Sequence, residues 1–219
     1  MHAAASGPAL RLGLISAAAV ALLCAVYVAV LSVGLLTLPA PDRQIQEPWF
    51  TLMEVLILAI APAMVALAVA VHAVSAPEHR SLALLGVVFL SLCAVVTCAV
   101  HFSVLVLSRH PAFGGVWHPL VFSFQWPSFA YALDILAWDV FFPLGALCAA
   151  PAVRGAGLAR AARVLLVISA VLALVGLLGV PLANMQVRNI GIIGYAVLFP
   201  IAAALLAVRF HRAGNAGAA

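Results

Sequence analysis

Six runs of apolar residues, at roughly 13–38, 49–74, 82–107, 127–148, 164–180 and 190–208, follow one another along the chain with short polar breaks between them. Each is close to the length of about 20 mainly apolar residues that a helix needs to cross the hydrocarbon of a bilayer. The runs are continuous rather than alternating, which is the pattern of membrane helices and not of barrel strands. The chain is therefore expected to be all-α: a polytopic membrane helix bundle with about six transmembrane helices in a single integral membrane domain over residues 1–219. Arg11 precedes the first run as a basic residue precedes the apolar part of a signal peptide. The run is about 26 residues long, however, against about 7 to 15 in a signal peptide, and Leu38-Pro39-Ala40 is a poor cleavage site. It is expected to stay as the first helix.

Composition agrees with the pattern: 67% of the residues are hydrophobic and 7% are charged, with a mean hydropathy of +1.26, more apolar surface than a soluble domain hides. All ten basic residues are arginines. Six helices place both termini on one side with Arg11, Arg80, Arg154, Arg160, Arg163, Arg209 and Arg212, leaving Arg43, Arg109 and Arg188 opposite. That asymmetry predicts cytoplasmic termini. The net charge of +4 then reflects topology and contact with anionic lipid, and with no basic soluble face a nucleic-acid partner is not expected. Cys24, Cys93, Cys98 and Cys148 lie inside apolar runs without a CxxC pair and suit packing. Histidines 72, 79, 101, 110 and 118 form no HxxxH, HxxH or HExxH pair, so neither a metal nor another cofactor is expected.

Against this background the acids stand out. Glu54, Asp134 and Asp139 lie within apolar runs, where a charge costs from about 2.5 to more than 10 kcal/mol and is held by a partner. Counting about 1.5 Å per residue from the helix ends places Glu54, His101 and Asp134 in one layer, about 8 to 10 Å beneath the external surface. On the same side are Asn184, Gln186, Arg188 and Tyr195, with Arg188 a cation for Glu54 or Asp134. Tyr131, Asp134 and Trp138 share a helix face. Asp139, five residues from Asp134 and thus about 140° round an α-helix, is expected to stand apart near mid-membrane. The connection over 108–126 carries His110, Trp117, His118 and Gln125 among phenylalanines and prolines, with Trp126 after it. It suits an interfacial segment or a binding loop.

Three stretches, Ala132-Leu-Asp-Ile-Leu-Ala-Trp-Asp-Val-Phe-Phe142, Ala149-Ala-Pro-Ala-Val153 and the segment from Gly179 to Tyr195, resemble an uncharacterised family of small bacterial multi-pass membrane proteins. The resemblance implies the architecture and a bacterial inner membrane, and no activity. A looser resemblance is to small membrane-bound terpene cyclases, which are similar in size and in using intramembrane acids to protonate a polyprenyl alkene or epoxide. Glu54 is similar in placement to one of their acids. The other acid of that group lies in a late helix, whereas the last two runs here have no Asp or Glu, so Asp134 would stand in for it, with Trp126, Trp138, Phe141, Phe142 and Tyr195 as aromatic walls able to stabilise a cation.

Three roles fit such a cluster. It can be an acid site for a lipophilic, lipid-like or isoprenoid-like molecule, with Glu54, Asp134 and His101 catalytic and Trp126, Tyr131, Trp138, Asp139, Asn184, Gln186, Arg188 and Tyr195 around the ligand. It can be the relay of a small proton-coupled transporter. It can also be an interhelical polar clamp in a structural or accessory membrane protein. The expected partners are the lipid bilayer and a lipophilic small molecule, and a homo-oligomer stays open.

Overall fold

The computed structural model describes residues 7–40 and 44–216, so that Arg43, counted above among the charges, lies outside the described residues. Helices dominate, and no strand occurs among the described residues. Six helices are long and apolar enough to cross a membrane: α1 (Gly7–Leu36), α2 (Trp49–Ala73), α3 (Pro77–Leu107), α5 (Phe129–Ala152), α6 (Leu158–Leu177) and α7 (Met185–Ala216). A short helix, α4 (Trp117–Val121), lies in the connection before α5.

Each long helix packs on the next in sequence, and α7 returns to α1, closing the six into a ring. Ile15, Leu22, Leu36 and Val95 are more than 60% exposed on its outside, a surface suited to lipid tails rather than water. The start of α1 and the end of α7 lie at one end: a Cβ on Gly13 would meet the ring of Phe210 at 2.6 Å. The connections after α1, α3 and α6 form the opposite end, called here the loop end.

Helix starts depart from the apolar runs where a capping residue or a charge begins the helix. Asn184 Oδ1 accepts from the amide of Gln186 at 3.0 Å, so α7 begins at Met185 and takes Arg188 into its first turns. Arg188 is 4% exposed. Its assignment as a loop charge is thus corrected: it is an interior residue and does not belong in the count that orients the bundle. Ser128 caps α5 in the same way, accepting from Tyr131 N at 3.2 Å.

Two helices widen locally. Leu136–Phe141 in α5 and Gly194–Leu198 in α7 are π-helical, and each is followed by a Phe-Pro pair, Phe142-Pro143 and Phe199-Pro200. Proline has no amide hydrogen and its ring crowds the carbonyl four residues back. A π-turn moves that carbonyl to a donor five residues on and removes the conflict. Pro62 sits inside an uninterrupted α2. Glycine faces join α6 to α7. A Cβ on Gly176 would lie 2.8 Å from Gly191 N, and one on Gly194 would lie 2.5 Å from Ser169 O.

Candidate functional site

At the loop end the ring encloses a cavity of about 410 Å³, within the usual range for small-molecule pockets of about 300 to 1,000 Å³. Tyr27 and Leu31 of α1, Phe50, Met53 and Ile57 of α2, Trp138 of α5 and Ile192 and Tyr195 of α7 form mostly apolar walls. Ile45, Phe122 and Phe124 from the connections cover it. Gln44 Nε2 donates to Ser123 Oγ at 3.2 Å, which also accepts from Gln125 N at 3.1 Å, tying the two connections together. Ser123 O in turn accepts from the Ser128 hydroxyl that caps α5. The cover is therefore anchored to the start of a long helix.

The floor of the cavity carries four ionisable side chains, Glu54, His101, Asp134 and Arg188, and a fifth, Asp139, lies behind them, the five coming from four helices. Glu54 Oε2 lies 2.9 Å from His101 Nδ1. Across the imidazole, Nε2 lies 3.7 Å from Asp134 Oδ1, too far for a direct hydrogen bond. Arg188 Nη2 donates to Asp134 Oδ2 at 2.7 Å, and Arg188 Nε donates to Asp139 Oδ2 at 3.3 Å. Its guanidinium carbon also stands 4.8 Å from the Tyr131 ring centre and 6.0 Å from that of Tyr195, distances at which a cation and an aromatic face attract. His101 is stacked on Phe124, with centroids 5.0 Å apart and planes 19° from parallel. All five are buried, and Asp139 is fully so.

The expectation that Asp139 stands apart is overturned by the shared guanidinium. The 140° separation assumed an unbroken α-helix. The π-segment that begins at Leu136 closes five residues at a time, which turns Asp139 toward the face that carries Asp134. Room for it comes from Gly191, where a Cβ would lie 2.5 Å from Asp139 Oδ1. That oxygen has no hydrogen-bonding partner, and neither has His101 Nε2.

Of the side chains expected at the site, Glu54, His101, Tyr131, Asp134, Trp138, Arg188 and Tyr195 line the cavity, and Asp139 lies behind Arg188. Trp138 packs on Tyr195 at 5.1 Å and on Phe142 at 5.7 Å. Three residues are corrected. Asn184 and Gln186 are exposed and bond within the start of α7, Gln186 Oε1 accepting from Asn189 Nδ2 at 3.1 Å. Trp126 is 41% exposed outside the cavity. The helix cap uses the polar atoms of Asn184, and Gln125 rather than Trp126 reaches inward. Tyr27 was not anticipated, although it is the one aromatic residue of the first apolar run.

Below the polar layer, toward the termini, the interior is mostly apolar, with Ser16 and Ser75 among its buried polar side chains. Met64, Leu67, Leu90, Phe199 and Leu206 close round a void of about 20 Å³, room for little more than one water. The rows of charge and of apolar side chains thus divide the bundle into a chambered half and a sealed half. No family model matches the sequence, and neither a curated protein nor a solved structure shows significant similarity to it.

Proposed function

We propose that this is a bacterial inner-membrane protein, with cytoplasmic termini and a cavity in the outer-leaflet half, that binds a lipophilic lipid-like or isoprenoid-like molecule and protonates it. The observation that carries the reading is the pairing of Glu54 with His101 at the floor of an apolar, aromatic chamber. Asp134 and Asp139 are both engaged by Arg188, which matches one of their two charges. Glu54 has no such cation and meets only the imidazole. Three carboxylates share one guanidinium and one imidazole, so even a protonated His101 leaves the layer with one surplus negative charge. A low-dielectric site holds such a layer more readily with one extra proton.

That proton is the one to transfer. Glu54 gives it to an alkene carbon or an epoxide oxygen of the substrate, and His101 passes a proton back across Nδ1 when the product loses one. Arg188, fixed by two aspartates, holds Asp134 against the far side of the imidazole. The resemblance to membrane-bound terpene cyclases favours this chemistry. Transport is less well supported, because a proton path would have to continue through the layer of Met64, Leu67 and Leu206, which offers no polar step.

The test is mass spectrometry of lipophilic molecules that copurify with the wild-type protein and with Glu54→Gln. Because the proton is returned, substrate and product have one mass and differ in retention. An apolar species enriched over bulk lipid in both preparations, shifted in retention between them, is the expected result. Absence of any enriched species from both would remove the reading.

A further inference from the structure

The charge and the free acceptors of the polar layer also specify the kind of head group that the chamber takes. Resting on the reading of the cavity as a lipophilic pocket, we infer that it preferentially takes a basic amphiphile: the amine accepts the proton of the layer in place of an alkene or epoxide and lies as an ammonium beside Glu54 and Asp134, with its chain along the aromatic walls.

Among the described residues Arg188 is the only guanidinium in the cavity lining, and it is already shared by two carboxylates. It has little attraction left for a third anion. A carboxylate or phosphate head would add negative charge to a layer that already has a surplus, and like charges brought together in a buried site cost several kcal/mol. An ammonium does the reverse. Glu54 uses Oε2 toward His101, and Oε1 accepts no hydrogen bond. Asp134 uses Oδ2 toward Arg188, and its Oδ1 has only the imidazole 3.7 Å away. Both of these carboxylates line the cavity, and each thus keeps an oxygen for a donor. The rings of Tyr27, Phe124 and Trp138 also line the chamber, and aromatic faces favour a cation over an anion.

Binding of dodecylamine, dodecanol and dodecanoate to the full-length protein in nanodiscs of zwitterionic lipid, corrected for partition into empty nanodiscs, tests the inference. The amine is expected to bind at least about tenfold more tightly than the carboxylate, with the alcohol between them, and Glu54→Gln is expected to lower the amine-to-carboxylate ratio by about tenfold. Equal binding of all three would overturn the preference for a cation while keeping the lipophilic pocket. Tighter binding of the carboxylate would overturn it outright. Binding of none would remove the pocket and the inference together. The wild-type comparison decides the matter even where the variant fails to fold.

Discussion

Replacing Arg188 by methionine removes the one cation between Asp134 and Asp139 and leaves two buried carboxylates facing each other. Removing one partner of a buried ion pair costs about 3 to 5 kcal/mol. Asp139 is fully buried and Asp134 is 9% exposed, so water offers little compensation and the loss belongs at the upper part of that range. For a chain of this length, 219 residues, each kcal/mol moves the midpoint by about 2 to 4 °C, which at about 4 to 5 kcal/mol gives a fall of about 8 to 20 °C. Thermal unfolding in a mild detergent, followed by the monodisperse fraction on size-exclusion chromatography, measures it. Arg188→Lys should fall in between, because an ammonium lacks the fork that reaches both acids. The triple variant Arg188→Met, Asp134→Asn, Asp139→Asn should regain most of the loss, since the buried charges leave together. A single-variant shift under about 2 °C, or a triple variant no more stable than the single one, would show that the guanidinium does not hold the bundle as described.

Other changes separate the site from its scaffold. Glu54→Gln keeps a side chain of the same shape against His101 and should change stability by less than about 1 kcal/mol, while abolishing turnover of the copurifying molecule; a midpoint drop as large as that of Arg188→Met would assign Glu54 to packing instead. Gly191→Ala puts a Cβ 2.5 Å from Asp139 Oδ1 and 3.3 Å from Ala173 Cα, an overpacking that costs about 1 to 3 kcal/mol and is checked by the same unfolding assay. Pro143→Ala removes the steric cause of the first π-segment; if α5 then relaxes to regular α-helix, Asp139 leaves Arg188 and the midpoint falls, whereas a gain in stability would show that the π-turn has another origin.

The membrane class and the count of six helices were legible because both rest on run length and composition, which no packing detail can reverse. The register of Glu54, His101 and Asp134 was legible too, since depth follows from residue number along a straight helix. What escaped was local. Asn184 reads as one more polar residue near the site until its cap on α7 is known, and that cap is what moves Arg188 from a loop to the interior. Gln186 goes with it to the surface. Gln44 and Gln125 sit in connections, where no periodicity predicts which side chain turns inward, so their places on the cavity were not accessible from spacing.

The position of Asp139 has a different cause. A helical wheel assigns faces by a fixed angle per residue, and that angle fails where the hydrogen-bond ladder changes. Both failures in this chain precede a Phe-Pro pair, and both adjoin the polar layer: one brings Asp139 toward Arg188, and the other begins at Gly194, beside Tyr195 of the cavity wall. Pro143 and Pro200 are thus evidence about the residues one turn before them, whereas Pro62 leaves α2 uninterrupted. Asp139 lies four residues before Pro143, at the carbonyl that the proline ring crowds. The same steric conflict that widens the helix there thus turns a second carboxylate onto the guanidinium, and the surplus of negative charge beside the cavity follows from it.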